Sequence, residues 1–257
     1  MKKISSMAVY CGSSVGNNHL FFEAAENIGK FLANNNIKLI YGGGNLGLMG
    51  AVSGAALKNG GEVMGVITSH LINKEKINES LNMVKNQSDI VSFDLILHAI
   101  SRGNLKPFLS QKEEPTLTEQ DIALTIDAMS INALIWIQEL QKHDFLKKGG
   151  QLITLTSAGS NRYWKGYGAV AMAKSSLEIL SKYLAIELAP FGFRVNCINA
   201  GITDTPSLRF IPNHEHLIEE ASKRNPLGRM TQPEDIADAI YLLTLPESNW
   251  INGNIMF

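Results

Sequence analysis

The sequence predicts an α/β fold in three layers, with helices on both faces of a doubly wound parallel sheet of about seven strands. Two observations lead to this prediction. Short apolar runs alternate with helical patterns along the 257 residues, and such alternation is typical of parallel strands joined by right-handed helical crossovers. Most runs are apolar throughout, as expected of strands that are buried on both faces.

Each element is predicted from its local pattern. The predicted strands are Met7–Cys11, Ile37–Tyr41, Val63–Ile67, Phe93–Leu97, Gln151–Thr156, Arg194–Ile198 and Ile255–Phe257. The predicted helices are 19–34, 46–59, 77–90, 118–142, 167–189 and 233–245. Capping patterns mark two of the helix starts, Thr118 with Asp121 and Thr231 with Glu234. We expect one Rossmann-like domain over residues 1–257.

The composition limits the partners of this chain. It has 23 basic and 24 acidic residues and a net charge of −1, so we expect no electrostatic attraction to nucleic acid or to an anionic membrane. No stretch approaches the ~18 apolar residues of a membrane-spanning helix. Cys11 and Cys197 lie in apolar runs and are predicted to be buried free thiols, which fits a reducing compartment. The expected location is therefore the cytosol.

Glycine-rich segments follow the first two predicted strands, where a doubly wound sheet binds its ligands. In segment 11–18, the glycines allow a tight turn that directs backbone N–H groups toward a phosphate, although an ordinary turn has the same composition. Segment 42–50 contains five glycines, which indicates either close approach to an anionic ligand or very tight packing. The candidate cofactor-binding residues here are Gly12, Ser13, Ser14, Gly16, Gly43 and Gly44.

Tyr167 and Lys174 are seven positions apart, and Ser157 lies seventeen positions before the lysine. A helix that starts near Tyr167 places both side chains on one face, roughly 10 Å apart along the axis. A nearby ammonium lowers the pKa of a tyrosine, which can then pass a proton to an oxygen that gains negative charge during reduction. Alternatively, Tyr167 packs at a helix start and Lys174 is a solvated charge. Asn132 is either exposed on its helix or part of a polar relay to Lys174.

Further candidates follow the later strands. Gly201 allows close backbone approach after the sixth strand, and Thr205 offers its hydroxyl to a pyrophosphate. His98 is predicted to be a neutral, hydrogen-bonded residue at the floor of the cleft. His214 and His216 lack the i, i+4 spacing of a helical zinc site, so no metal ligand is predicted.

From about Phe93 to Phe257 the sequence resembles the short-chain dehydrogenase/reductase family. The matching positions are Asn132, Ser157, Tyr167, Lys174, 194–196, 201–205, 226–229 and 233–237. Most members of that family place the tyrosine four residues before the lysine, where this chain has Val170. The seven-residue spacing resembles the enoyl-acyl-carrier-protein reductase branch, to which segments 98–100 and 160–163 are also similar.

This resemblance implies a cofactor, a reaction and roles for the matching residues. The cofactor would be NADH or NADPH, and hydride would be delivered to the β-carbon of an enoyl thioester, either a small molecule or bound to acyl carrier protein. Tyr167 would stabilise the enolate, Lys174 would hold the nicotinamide ribose, and Ser157 would face the substrate. The implied contacts with the cofactor include Ala99, Ile100, Gly201, Ile202 and Thr205. Such enzymes are usually homo-oligomers, dimers or tetramers built on two long helices.

Residues from about 6 to 72 resemble a different family, the Lonely Guy phosphoribohydrolases, in segments 8–14, 41–50 and 61–67. Those enzymes, long labelled lysine decarboxylase-like, cleave nucleoside 5′-monophosphates at the N-glycosidic bond. Their second loop, of the form P-G-G-x-G-T-x-x-E, is absent from this sequence. The chain is therefore interpreted as a natural or engineered hybrid. A nucleotide-binding half, 1–70, and a catalytic half, 93–257, would be joined within 68–92.

The prediction for function is an NAD(P)H-dependent reductase of the short-chain type, most like an enoyl-thioester reductase. The rival hypotheses are a nucleoside 5′-monophosphate phosphoribohydrolase and a hybrid scaffold without turnover. The opening segment departs from the reductase fingerprint T-G-x-x-x-G-x-G at Cys11 and Asn18. No acidic residue ends the second strand, where the ribose 2′-hydroxyl would be bound. The choice between NAD and NADP is therefore left open.

Overall fold

A computed structural model of the protein describes residues 4–9, 11, 19–41, 47–65, 77, 81–82, 85, 92–110, 114–203, 205–209, 211 and 213–256. The chain divides into two compact units. The first comprises residues 1–100, 134–153 and 187–194. The second comprises residues 101–133, 154–186 and 195–257.

The strands form a seven-stranded sheet in the order β3-β2-β1-β4-β5-β6-β7. Their bounds are β1 Ser6–Val9, β2 Lys38–Tyr41, β3 Val63–Gly65, β4 Phe93–His98, β5 Leu146–Thr156, β6 Arg194–Asn199 and β7 Ile255–Met256. The pairs β1–β2, β1–β4, β2–β3 and β6–β7 are parallel. Strand β1 pairs with both β2 and β4, so the winding reverses beside it, as in a doubly wound sheet. The predicted fold class is confirmed.

Eight α-helices lie within the described residues. They are α1 His19–Asn34, α2 Gly47–Lys58, α3 Glu119–Ile126, α4 Asn132–Lys142, α5 Gly168–Glu187, α6 Pro206–Arg209, α7 His214–Arg224 and α8 Pro233–Thr244. Each helix predicted in 19–34, 46–59, 167–189 and 233–245 is present to within two residues at either end. The helix predicted over 77–90 falls mostly outside the described residues.

The long helix predicted over 118–142 is interrupted. A π-helical turn, Asp127–Ile131, separates α3 from α4, and the backbone N–H of Asn132 donates to the carbonyl of Asp127. The capping box at the start of α3 is present as predicted, with Thr118 as the N-cap and the Asp121 carboxylate accepting from its backbone N–H at 3.1 Å. The wider turn inserts an extra residue into the helix, and such turns often occur at functional sites.

Two other local predictions are wrong. The N-cap of α8 is Gln232, whose N–H donates to Asp235 at 2.8 Å; Thr231 instead forms a bridge with Thr203. Strand β5 begins at Leu146 rather than Gln151. Its first residues include two lysines and two glycines, which have low strand propensity. Lys147 nevertheless forms an ion pair with Asp94 of β4 at 2.7 Å, so tertiary pairing outweighs local propensity there.

Within the first unit, α1 and α2 pack closely through small residues. Gly29 of α1 faces α2, where a Cβ atom at position 29 would lie 2.9 Å from both the Cβ of Ala55 and the backbone nitrogen of Ala56. Leu32 of α1 and Val52 of α2 are both about 1% exposed. The glycine therefore sets the distance between the two helices, because any side chain at that position meets backbone atoms.

We predict that Gly29→Ala lowers the free energy of unfolding by about 1–3 kcal/mol, because the added methyl group forces the two helices apart. Gly54→Ala in α2 is the matched control, since a Cβ there meets no atom within 4 Å. The control should raise stability by about 0.5–1 kcal/mol through the greater helix propensity of alanine. Urea unfolding of both variants tests this, and equal effects of the two substitutions would contradict the packing account.

Candidate active site

Four consecutive residues, the last three of β5 and Ser157 directly after it, make polar contacts with α5 and with Tyr167 directly before that helix. All of these contacts lie within the second unit. They join Thr154 Oγ1 to Ser181 Oγ at 2.8 Å, the Leu155 carbonyl to Lys174 Nζ at 2.8 Å, Thr156 Oγ1 to Glu178 Oε1 at 2.6 Å, and Ser157 Oγ to Tyr167 Oη at 3.1 Å. We call this set the β5–α5 ladder. It joins Ser157 to Tyr167 and holds Lys174 against Leu155, two residues before Ser157. That the phenol of Tyr167 and the amine of Lys174 converge on one cofactor stays a prediction.

Tyr167 directly precedes α5. Its carbonyl accepts a hydrogen bond from the N–H of Ala171 at 2.8 Å, and this is the bond with which the helix begins. Its ring packs on Gly159, where a Cβ atom would lie 2.6 Å from the ring carbon Cδ1. The absence of a side chain at 159 therefore allows the ring to reach Ser157. A hydroxyl pair at the carboxyl end of a strand is suited to donating a proton to an oxygen that gains charge.

Burial sets the proton affinity of Tyr167. It raises the pKa of the phenol, and the hydrogen bond with Ser157 opposes this shift. The sequence predicted that Lys174 lowers this pKa, and that direction is wrong, because desolvation of the phenolate outweighs the other effects. Lys174 directs its Nζ to the carbonyl of Leu155.

Lys174 is itself buried, with 5% of its surface exposed. The alternative in which it is a solvated surface charge is therefore wrong. Burial lowers its pKa to about 8, while Cys197 and Glu178 act in the opposite direction. An amine with this pKa is poised near neutrality, as is common at functional sites.

Asn132 begins α4 directly after the π-helical turn and is 1% exposed. The alternative in which it is exposed is wrong. In the same turn, Ser130 Oγ lies 2.9 Å from Ser176 Oγ of α5, so the turn is tethered to the helix that carries Lys174. The role of Asn132 in a relay stays a prediction.

The segment after β6 is shaped by a glycine. Gly201 has a φ of +65°, and a Cβ atom there would lie 2.8 Å from Thr231 Oγ1. Its N–H donates to the side-chain oxygen of Asn199 at 3.1 Å. Thr205 lies next to the start of α6, and its carbonyl accepts from the N–H of Leu208 at 3.0 Å. Backbone without a side chain at the carboxyl end of β6 fits the close approach that a dinucleotide requires.

A cavity of about 780 Å³ adjoins this segment. Its walls include Ala158 after β5, Ile202 after β6, Ala221 of α7 and Ala239 of α8, and Arg162 contributes a cation. This volume is within the usual range for sites that bind small molecules. A second cavity, of about 410 Å³, has walls that include Ser6, Lys38 and Lys147 at the amino ends of β1, β2 and β5. That is the opposite end of these strands from the one where a doubly wound sheet binds its ligands.

The remaining predicted residues divide into two groups. Ala99 and Ile100 follow β4 in the first unit and are half-buried, and His98 at the strand end is buried. The glycine-rich candidates Gly12, Ser13, Ser14, Gly16, Gly43 and Gly44 lie outside the described residues. Thr156 and Glu178 were not among the predicted site residues, although Glu178 follows Lys174 by four residues, the spacing that places two side chains on one helix face.

Neither a metal site nor a membrane span is found in the described part of the chain. There, no three His, Cys, Asp or Glu side chains lie close enough to hold a metal ion. No helix in that part is both long and apolar enough to cross a bilayer. Cys11 and Cys197 are free thiols, as predicted; Cys197 is buried and Cys11 is half-buried.

The parallel sheet, the hydrogen-bonded Ser157 and Tyr167, and the buried Lys174 on the helix that follows define the class of short-chain dehydrogenases/reductases. A family model described as Enoyl-(Acyl carrier protein) reductase matches residues 26–257. The chain belongs to this family.

Individual relatives are distant. The enoyl-(acyl carrier protein) reductase (NADH) of Bacillus cereus is 29% identical over 180 residues, which cover 70% of this chain and 68% of that protein. The corresponding NADPH enzyme of Staphylococcus aureus is 29% identical over 168 residues, covering 65% of this chain and 64% of that protein. The L-xylulose reductase of Mesocricetus auratus is 26% identical, covering 66% of this chain and 67% of that protein.

Solved structures are similar in fold. The NADH-dependent enoyl-(acyl carrier protein) reductase of Aquifex aeolicus has a TM-score of 0.77 at 20% identity, covering 98% of this chain and 93% of that one. The Bacillus cereus enzyme, solved with NADP⁺ and indole naphthyridinone, has a TM-score of 0.77 at 23% identity over the same shares. At these identities the similarity establishes the fold alone.

The resemblance to Lonely Guy enzymes finds no support in these comparisons. The reductase family model extends through residues 26–72, which the hybrid interpretation gave to the other family. Apolar strands and glycine-rich turns recur in many nucleotide-binding folds, so short segments of this kind identify a family poorly. The join proposed within 68–92 lies mostly outside the described residues and stays a prediction.

We predict that the difference in the free energy of unfolding between the wild type and Lys174→Met depends on pH. Below about pH 8 the lysine is protonated in both states, and burying the ammonium lowers stability. As the pH rises from about 8, the folded pKa, to ~10.5, the unfolded value, the unfolded chain binds more protons, so the wild type gains up to roughly 3 kcal/mol. Lys174→Met lacks this gain. Urea unfolding of both proteins at pH 7 and pH 10 tests the difference, and a constant difference would contradict it.

Proposed function

We propose that the protein is an NAD(P)H-dependent reductase of an enoyl thioester. The observation that carries the proposal is the Ser157–Tyr167 hydroxyl pair directly after β5, with the buried Lys174 bonded to the carbonyl of Leu155 two residues earlier. The family of the chain and the reactions named for its relatives support the same reaction. The relatives include both NADH-dependent and NADPH-dependent enzymes, so the proposal does not choose between the two cofactors.

In this reaction, separate residues would bind the cofactor and stabilise the reacting oxygen. When bound, NAD(P)H supplies the hydride that reduces the β-carbon of the substrate. Tyr167 would donate a hydrogen bond to the thioester oxygen as it becomes an enolate oxygen, because the raised pKa keeps the phenol protonated at neutral pH. Ser157 would orient that phenol. Lys174 would hold the cofactor ribose, and Gly201, Ile202 and Thr205 would contact the rest of the cofactor.

The cavity beside Ile202 would receive the acyl part of the substrate. Its wall combines apolar side chains, such as Ile236 and Met256, with arginines at positions 162, 224 and 229. Two of these arginines are paired: Arg224 contacts Glu220 at 3.2 Å, and Arg229 contacts Asp235 at 2.6 Å. An apolar cavity with Arg162 in its wall suits an acyl chain attached to an anionic carrier, such as acyl carrier protein.

We predict that Tyr167→Phe reduces the rate of NAD(P)H oxidation with a crotonyl thioester by about 10²–10³-fold, the usual loss when one oxyanion donor is removed. Tyr241→Phe, on the exposed side of α8, is the matched control and should keep the wild-type rate. The decrease in absorbance of the reduced cofactor measures both. A wild type that oxidises neither NADH nor NADPH with enoyl thioesters of several chain lengths would overturn the proposed function.

We further propose that the protein is a homo-oligomer that forms through α3, the π-helical turn and α5. These elements carry exposed apolar side chains at helical spacing: Leu124, Ile131, Met172, Ile179, Tyr183 and Ile186. They range from 44% to 75% exposed. An apolar patch of this kind marks an interaction surface.

We predict that Ile179→Arg lowers the oligomer size, because it places a charge in the middle of this patch. Glu187→Gln, at the exposed end of the same helix, should leave the size unchanged. Light scattering after gel filtration measures the mass of each. A monomeric wild type, or an Ile179→Arg variant of unchanged mass, would contradict the assignment of this surface.

A further inference from the structure

Glu178 is a buried carboxylate directly behind the candidate active site. It lies one helical turn after Lys174 on α5 and is 8% exposed. Its Oε1 accepts a hydrogen bond from Thr156 Oγ1 at 2.6 Å. Thr156 lies between Leu155, which contacts Lys174, and Ser157, which follows the strand and contacts Tyr167. The carboxylate is therefore part of the β5–α5 ladder and lies between the contacts that position both functional side chains.

Two neighbouring groups act electrostatically on Lys174 in the described part of the chain. Burial lowers the pKa of Lys174, and the groups that raise it are Cys197 on β6 and Glu178 on its own helix. Strand β5 presents the neutral carbonyl of Leu155. Burial raises the pKa of the Cys197 thiol to about 11, so this thiol is neutral at the pH where Lys174 titrates. Of these two groups, Glu178 is therefore the one that acts on the lysine as a negative charge near neutral pH.

We propose that Glu178 is a positioning residue for Lys174: its Thr156-anchored carboxylate supplies the buried negative charge that keeps the lysine in its ammonium form against the Leu155 carbonyl. A buried ammonium without a compensating charge is costly and gives up its proton instead. The importance of this effect for catalysis rests on the proposed reductase function, in which Lys174 holds the cofactor. The electrostatic coupling itself can be measured without any activity.

Two substitutions separate the charge of Glu178 from its hydrogen bond. Glu178→Gln keeps an acceptor for Thr156 Oγ1 and nearly the same volume but removes the negative charge. Thr156→Val removes the donor and keeps the carboxylate. Glu187→Gln removes a carboxylate from the exposed end of the same helix and is the matched control.

The first experiment measures kcat/KM for NAD(P)H-dependent reduction of a crotonyl thioester across pH 6–10. In Glu178→Gln the basic limb of the profile should move to lower pH by about one unit, because the ammonium loses its compensating charge. The displacement should be smaller in Thr156→Val and absent in Glu187→Gln. The proposal would be overturned if the basic limb of the Glu178→Gln profile kept its midpoint. It would also be overturned if kcat/KM fell by the same factor at every pH, because a merely structural role of Glu178 predicts such a uniform loss.

The second experiment needs no turnover. The melting temperatures of the wild type, Glu178→Gln, Lys174→Met and the double variant are compared at pH 7 and pH 10. At pH 7, Glu178→Gln should lower the melting temperature by about 3 °C when Lys174 is present, and should not lower it when methionine replaces the lysine. At pH 10, where Lys174 is neutral, this difference between backgrounds should disappear. Equal effects in both backgrounds at pH 7 would overturn the proposal, whether or not the protein proves to be a reductase.

Discussion

The candidate site depends on one constraint, which is the polar contact between the end of β5 and the side of α5. Residues 154–156 each supply one contact to the helix, and Ser157 supplies one to Tyr167, the residue directly before it. Apolar contacts are non-directional, whereas each hydrogen bond requires a particular partner. A shift of one residue between the strand end and the helix would leave buried polar atoms without partners. The ladder therefore fixes the register that places Tyr167 beside Ser157.

The same constraint explains why charged groups are buried here. Lys174 and Glu178 are each less than 10% exposed, and burial of a single charge is strongly unfavourable. Placing an amine and a carboxylate one turn apart, each hydrogen-bonded to β5, lowers that cost. It also leaves the lysine with a pKa of about 8, so its protonation responds to small changes around it. Burying these charges lowers the stability of the fold, but it brings the pKa of Lys174 close to neutral pH.

Much of the fold could be predicted from local patterns. The apolar runs placed six of the seven strands to within two residues at each end, and four of the predicted helices are present. The exception, β5, begins five residues earlier than predicted, because its lysine and glycine residues have low strand propensity and are held by pairing with β4. The π-helical turn before Asn132 was not predicted either, because the apolar residues Ile126, Met129 and Ala133 keep helical spacing across it. Ser157 and Tyr167 do meet in the structure, whereas the convergence of Tyr167 and Lys174 stays a prediction.

The sequence by itself determined the class of fold, through the alternation of apolar runs and helical patterns, and the reductase resemblance, through the spacing of a few polar residues. Only the tertiary structure decided the protonation chemistry. Whether the pKa of Tyr167 rises or falls depends on how much water the fold removes from the phenol, and that depends on packing between residues far apart in the chain. For the same reason, the burial of Lys174 beside Glu178 and Cys197 appears only when β5, β6 and α5 are assembled.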